Sequence, residues 1–547
     1  VKWAHVERAR DILAREQGTV VKDWGGKLPI ALVYPNTYHV GMSSLGFQTI
    51  YAALNGHRDV VCERAFWQRR FSSDDPVVSV ESQQALADFY VVAFSISFEM
   101  DYLHVVQILR QAGIPLRADE RDEDWPVVIA GGPAVSANPL PLADLVDGVL
   151  VGEAEEGIAG LVETLWEGID KPRPELWQRL ARLPGLYVPA LDPKDKETVT
   201  RQWVRDMETF STATVIHTPD TEFGGMHLIE IARGCGRGCR FCLAGFACRP
   251  KRERSLESIL AQAERGLEYR DRIGLVSAAV SDYTQIDALA SQLREMGARL
   301  SVSSLRVDPL SEPLLRALSE SDARTLTMAP EAGSQRLRDM INKNVTEADL
   351  VHAAERASDY AFGQLKLYFM IGLPTETEDD ISEIASLCRT VAHHFRGRVT
   401  ANVTPFVPKA HTPFQWAAMA PVEVLDARYA QLQQELRRKG IAVRGESAQW
   451  SAIQGILARG DRRLNDVLTS VQGHSTRAWY KAMQRLEVDP QDYLGEREMD
   501  QTLPWSFVDS GVRDTYLRRE RERAIRGAAT EPCPVEGCDR CGVCKDP

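Results

Sequence analysis

No apolar run in this 547-residue sequence approaches the roughly 18 to 20 residues that a membrane-spanning helix needs. The opening Val1-Lys2-Trp3-Ala4-His5-Val6-Glu7 lacks the charged-then-apolar layout of a secretory leader, so a cytoplasmic location and no membrane partner are expected. Positive charge is not in excess either. The 65 Lys and Arg face 77 Asp and Glu, for a net charge of -12, and no global field draws the chain to nucleic acid. A local basic stretch, Arg249-Pro250-Lys251-Arg252-Glu253-Arg254, reads first as a solvated loop entering a helix. Internal repeats and low-complexity segments are missing too. What remains is the composition of an ordinary globular protein, 44% hydrophobic and 26% charged, long enough for two or three domains.

The ten cysteines are not scattered. Cys235, Cys239 and Cys242 lie together mid-chain, Cys533, Cys538, Cys541 and Cys544 close the sequence, and Cys62, Cys248 and Cys388 stand apart. In a chain expected to be cytosolic, such groups point to metal rather than to disulfides.

Hydrophobic periodicity sets out an α/β protein. After an N-terminal helical segment (1–27), strands are expected at 29–34, 60–65, 90–96, 127–130 and 148–151, with helices at 44–54 and 101–111. This alternation predicts a flavodoxin-like parallel sheet over 28–170, whose ligands bind beyond the carboxyl ends of the strands. Those ends are small or turn-forming: Tyr34-Pro35-Asn36-Thr37, Ser95-Ile96-Ser97, Gly131-Gly132-Pro133 and Gly152-Glu153. A linker rich in proline and charge is expected over 171–222. Strands then recur at 227–232, 275–278, 300–303, 325–328, 365–371 and 399–403, fitting a partial (β/α)6 barrel over 223–420 better than a second open sheet. A mostly helical extension (421–530), anchored by Trp450, Trp479 and Trp505, and a Cys-rich tail (531–547) complete the chain.

The mid-chain cysteines follow the first barrel strand directly, in Arg233-Gly234-Cys235-Gly236-Arg237-Gly238-Cys239-Arg240-Phe241-Cys242. The spacing Cys-x3-Cys-x2-Cys, loosened by three glycines, lets one loop wrap a compact metal centre. Iron–sulfur clusters usually take four cysteines, so three suit a cluster that must bind something else at its open iron. The competing reading is zinc, with Cys248 or a histidine as fourth ligand.

This loop resembles the signature of the radical S-adenosylmethionine superfamily. The resemblance implies a [4Fe–4S] cluster on Cys235, Cys239 and Cys242, with S-adenosylmethionine chelating the open iron and cleaved to a 5'-deoxyadenosyl radical that abstracts hydrogen from substrate. It also implies that Phe241 packs on the adenine and that a flavodoxin or ferredoxin donates the electron. Downstream, Ser281 and the backbone around it stand where the superfamily has a Gly-Gly-Glu-like turn, absent here, and Ser303 ends the third strand. The segment Ala329-Pro330-Glu331-Ala332-Gly333-Ser334 implies that Glu331 reaches the ribose and Arg336 the carboxylate, while Gly372 allows close approach of the adenine. The plainer reading of Glu331 is an ion pair on the barrel rim.

The N-terminal sheet resembles the cobalamin-binding-like domain of one branch of that superfamily. The residues carrying this likeness are Ala130-Gly131-Gly132-Pro133, Asn138-Pro139, Asp147 and Val151-Gly152-Glu153-Ala154-Glu155-Glu156. It implies cobalamin against Ser95, Ser97, Gly131, Gly132, Gly152 and Glu153. The lower-ligand signature Asp-x-His-x-x-Gly is missing around His39, so that histidine is not expected to ligate cobalt. Over nearly its whole length the chain resembles an uncharacterised bacterial family of such proteins, often fused or adjacent to a small partner domain. The segments 34–46, 405–416 and 503–505 and the terminal cysteines carry this last resemblance.

Cys533-x4-Cys538-x2-Cys541-x2-Cys544 suits a second iron–sulfur cluster or a structural zinc. Three functions stay open on the sequence. They are cobalamin-dependent methyl transfer to an unactivated carbon, methylthiotransferase-like sulfur insertion into tRNA or a ribosomal protein, and a non-catalytic cobalamin- or metal-binding regulator. Against the second, the three N-terminal cysteines of methylthiotransferases are lacking.

Overall fold

A computed structural model describes residues 3–68, 76–191, 198–308, 310–534 and 538–544. The chain forms two units, each assembled from separate stretches of sequence. The first takes residues 1–225, 457–490 and 502–510; the second takes 226–456, 491–501 and 511–547.

The first unit is built on β1 (Leu28–Tyr34), β2 (Val60–Phe66), β3 (Val91–Ser95), β4 (Val127–Gly131), β5 (Gly148–Leu150) and β6 (Leu186–Tyr187). Their order is β2-β1-β3-β4-β5-β6, parallel except for the antiparallel edge strand β6. The first five strands have the flavodoxin order, with the topological switch between β1 and β3. Continuous apolar runs such as Leu28-Pro29-Ile30-Ala31-Leu32-Val33-Tyr34 suit this sheet, because helices bury both of its faces. In β2, Glu63 and Arg64 are buried nonetheless, and both are satisfied. Arg64 pairs with Glu16 and Glu81, each at 2.7 Å, and Glu63 accepts from Trp24 Nε1 at 2.7 Å.

The stretch expected as a linker (171–222) is partly structured. It holds the helix Arg173–Leu180, strand β6 and the strand Val199–Thr200, which pairs with Val508–Asp509. Pro172 and Pro174 read as breakers in the sequence, yet they sit at the start of that helix, where a missing N–H costs nothing.

The second unit carries seven parallel strands in two arcs. The first arc is β7 (His227–Glu230), β8 (Arg272–Val276) and β9 (Arg299–Val302), with β8 central. The second is β10 (Thr325–Glu331), β11 (Gln364–Ile371), β12 (Arg398–Pro405) and β13 (Ala442–Gly445), in that order. The arcs meet where Leu305 N donates to Thr327 O at 3.0 Å. Intervening helices include Leu256–Leu267, Ile286–Glu295, Glu312–Glu320, Glu347–Asp359 and Glu378–His394. Their starts are set chemically: Ser255 and Ser311 cap by side-chain acceptance, and Thr346 and Thr377 form capping boxes with Asp349 and Asp380. β13 adds a seventh strand to the six expected.

The expected helical extension is largely helical, with Trp479 and Trp505 fully buried. It is shared between the units: 457–490 and 502–510 join the first, and the remainder stays with the barrel. Among the described residues, no helix is long and apolar enough to cross a membrane.

Candidate active site

The three mid-chain cysteines lie on an excursion pinned at its base. Ala232–Arg233, just past β7, pairs antiparallel with Arg252–Glu253, closing a loop over 234–251 at a carboxyl end of the barrel. Gly234 turns this loop at φ +79°, and a Cβ there would stand 2.3 Å from the Cys248 carbonyl oxygen, which only glycine tolerates. Cys242 N donates to Cys239 O at 3.0 Å, folding the second and third cysteines into one turn.

The residue after Cys239 anchors that turn. Arg240 is fully buried and donates to the carbonyl oxygens of Met340 (2.8 Å) and Ala528 (2.6 Å), to Thr530 Oγ1 (3.2 Å) and to Glu520 Oε2 (3.2 Å). Asn342 ties the same loop from the other side. Its Nδ2 donates to Arg237 O, Gly238 O and Thr530 O, and its Oδ1 accepts from Thr530 N at 2.8 Å. Phe241 packs against the apolar cluster that contains Met340, Met370, Phe406 and Phe414.

Electrostatically the three thiols form one group. Burial pushes the Cys239 thiol up, the neighbouring Cys235 adds to this, and Lys343 and Arg306 oppose it. Burial also pushes Cys242 up to about 12, with Cys239 and Cys235 contributing. Bare thiolates are costly here, and a bound metal offsets that cost while Lys343 and Arg306 balance the remaining negative charge. The donor set therefore fits an iron–sulfur cluster. Among the described residues, no three Cys, His, Asp or Glu side chains are gathered to hold a single metal ion.

Glu331 ends β10 at φ +68°, a left-handed conformation that a non-glycine residue rarely adopts, and pairs with Lys343 at 3.1 Å. It thus stands in a rim ion pair that also faces the cysteines. Burial works against the Lys343 ammonium, but Glu331 and Cys239 outweigh it and hold its pKa above the ordinary value. Ser281 is buried and accepts from Arg306 N at 3.1 Å, while Ser303 is exposed. Arg336 is bound to Asp380 and to Thr375 (3.1 Å to Oγ1). Gly372 has φ +84°, but the space of its missing side chain faces Leu425 (2.7 Å) and Ala420 (3.0 Å). Sequence reading missed the cations Arg306 and Arg237. The latter holds Asp282 by two bonds of 2.8 and 2.6 Å. Beside it opens a cavity of about 460 Å³ lined by Arg237, Lys251, Ser281, Asp282 and Cys533 among others.

The strand ends of the first unit divide into two kinds. Gly132 and Gly152 lie at φ +110° and +106°, and their open sides are taken by the chain itself. A Cβ would meet Ile96 O at 2.4 Å from Gly132 and Gln202 O at 2.1 Å from Gly152. Glu153 is likewise engaged, accepting from Val204 N at 2.9 Å. At β3 and β4 the rim is freer. Ser97 and Phe98 are exposed, Ser95 is half-buried, and a Cβ at Gly131 would meet nothing closer than 3.9 Å. The space over Gly132 and Gly152, expected to face cobalamin, is thus filled by the chain itself, while that beside Gly131 is not.

Cys533 lies beside the mid-chain loop and shares an electrostatic environment with Cys538 and Cys541. Cys533 N donates to Gly236 O at 2.8 Å, Cys541 is buried, and Cys538 Sγ accepts from Arg540 Nε at 3.3 Å. Cys544 is exposed.

Comparison with known proteins agrees with this layout. Residues 229–388 match the model of the radical SAM superfamily, and residues 46–189 match that of radical SAM proteins, N-terminal. The chain belongs to the radical SAM superfamily, in a family that includes an uncharacterised protein of Methanocaldococcus jannaschii (MJ0966). The two are 32% identical over 444 residues, covering 80% of this chain and 90% of that one. A ribosomal protein uS12 methylthiotransferase, RimO of Syntrophotalea carbinolica, is 25% identical over 52% of this chain and 63% of its own length. Among solved structures, the fold is similar to that of the cobalamin-dependent S-adenosylmethionine radical enzyme OxsB with aqua-cobalamin and S-adenosylmethionine bound. That match has a TM-score of 0.53 at 13% identity and covers 91% of this chain and 79% of the other. The protein is a radical SAM enzyme, a class that works with S-adenosylmethionine and a [4Fe–4S] cluster, which sets aside the non-catalytic regulator.

Proposed function

We infer that this enzyme methylates an unactivated carbon of its substrate in a cobalamin-dependent radical reaction. The observation that carries the reading is a sheet of flavodoxin order preceding the radical SAM barrel in one chain, the arrangement shared over most of its length with OxsB. In this reading Cys235, Cys239 and Cys242 hold the cluster, and Phe241 and Glu331 position S-adenosylmethionine. Lys343 and Arg306 supply the positive charge facing the thiolates, whereas Arg336, expected at the carboxylate, is engaged by Asp380. Ser95, Ser97 and Gly131 border the cobalamin site. When bound, the cluster with S-adenosylmethionine supplies a 5'-deoxyadenosyl radical, and methylcobalamin supplies the methyl group. The chain's own part is to orient these groups, keep water from the radical and hold the charge balance at Cys239.

The test is anaerobic reconstitution with iron, sulfide, cobalamin and a reductant, followed by gel filtration. Near-stoichiometric cobalamin on the protein, together with 5'-deoxyadenosine formation, is the expected result. Formation of 5'-deoxyadenosine without retained cobalamin would exclude methyl transfer and leave sulfur insertion, the activity named for the methylthiotransferase relatives, as the second reading.

A further inference from the structure

We propose that Cys533, Cys538, Cys541 and Cys544 hold a second iron–sulfur cluster, built against the first cluster's loop and serving as the port through which electrons reach it. The inference rests on the reading of Cys235, Cys239 and Cys242 as ligands of the first cluster.

The spacing is open to zinc as well, but its final run matches a ferredoxin pattern. The last three tail cysteines repeat the Cys-x2-Cys-x2-Cys of bacterial ferredoxins, with Cys533 upstream as the fourth thiolate of a [4Fe–4S] cluster. Hydrogen bonds order the tail around Cys533, Cys538 and Cys541, which share one electrostatic environment. Arg540 donates to Glu531 O (3.1 Å) and Pro532 O (2.6 Å), and through its Nε and backbone N to Cys538 Sγ (3.3 and 3.5 Å). One side chain thus clamps the segment before Cys533 onto the turn at Cys538. Arg513 N donates to Cys541 O at 2.9 Å, and the Arg513 guanidinium reaches the carbonyl oxygens of Asp539 and Arg540. Hydrogen bonds and arginine charge around ligating sulfurs are the means by which proteins set a cluster's potential.

Position suggests the role. Cys533 N donates to the carbonyl oxygen of Gly236, the residue after Cys235. A ligand of one centre is therefore joined to a ligand of the other through Gly236 and one hydrogen bond. Arg249, on the mid-chain loop, is buried against the Phe246 ring (4.6 Å) and the Tyr516 ring (5.5 Å), donates to Gly245 O at 2.6 Å, and interacts with Cys533 and Cys541. A cation there lowers the repulsion between two negatively charged clusters. The step is a one-electron transfer. A reduced ferredoxin or flavodoxin loses one electron, the tail cluster accepts it and passes it to the loop cluster, and no bond or proton moves.

The experiment is metal analysis and electron paramagnetic resonance on the full-length, anaerobically reconstituted protein. Wild type is expected to hold about eight irons and no zinc, with two interacting reduced-cluster signals. The pair Cys538→Ala/Cys541→Ala should fall to about four irons and keep the signal that S-adenosylmethionine perturbs. The triple Cys235→Ala/Cys239→Ala/Cys242→Ala should keep about four and lose that signal, so failure at either site is told from failure at the other. In the tail variant, 5'-deoxyadenosine formation driven by reduced flavodoxin should drop at least about tenfold more than formation driven by dithionite. Zinc at the tail, about four irons in wild type, or equal losses with both reductants would overturn the proposal. Because tail substitutions can unfold the segment, the interacting signals in wild type provide an independent check that needs no variant.

Discussion

Both units place small residues where parallel strands end, yet the two rims use them differently. At the first unit's rim, Gly132 and Gly152 let the chain press against its own backbone at Ile96 and Gln202. At the barrel rim, Gly234 turns the loop while thiols, Glu331, Lys343 and Arg306 share one electrostatic environment. A glycine at a strand end marks a close approach, and only the neighbouring atoms tell whether the approaching partner is a ligand or the protein itself.

The largest expected effect lies at the barrel rim. Cys239→Ala should abolish 5'-deoxyadenosine formation and remove the loop cluster's visible absorption; persistence of either would break the assignment. Next comes Arg240→Ala, which leaves the buried Glu520 with only Thr530 and a 3.9 Å pair to Arg523 and frees the loop, at an expected cost of about 3 kcal/mol in denaturant unfolding. At the other rim, Gly152→Ala should cost about 3 kcal/mol from left-handed strain and backbone overlap, whereas Gly131→Ala should cost less than about 1 kcal/mol while weakening cobalamin retention. Equal losses of stability in these two variants would erase the distinction between the glycines. The smallest effect is a pH dependence at the barrel's outer edge. Burial raises the Glu376 carboxyl from 4.5 to about 7, partly offset by hydrogen bonding from Gly372 N (2.6 Å) and by Arg428 (2.7 Å). Folding therefore holds a proton that the unfolded chain releases, so this stabilisation is complete below about pH 4.5 and lost as pH rises through about 7. Thermal melts across that window should show Glu376→Gln declining less than wild type.

How much was legible depended on the kind of signal. Strands buried on both faces, such as β1 and β4, declare themselves as apolar runs, and β10 to β12 by apolar residues that alternate with polar ones, so these strands lie close to where periodicity puts them. β13 does not, because Ala442-Val443-Arg444-Gly445 is an exposed edge with no apolar pattern. The cysteines are legible through their spacing. Arg240, Asn342 and Thr530 are not, since an arginine and two small polar residues far apart in sequence look like surface until the fold closes them into one network. The glycines at 132 and 152 were visible, but their partners Ile96 and Gln202 were not.

That Arg240–Asn342–Thr530 network has a consequence for how the enzyme is made. The polypeptide emerges from its N-terminus, and most of the barrel is synthesised before Ala528 and Thr530 exist. Until those last residues arrive, Arg240 lacks much of its hydrogen bonding and the cysteine turn lacks its final brace. The turn that carries the cysteines is therefore fully braced only after residues 528–530 have been made. A chain cut short before residue 528 is expected to take up less iron on reconstitution than one that carries Thr530, a difference that metal analysis reads.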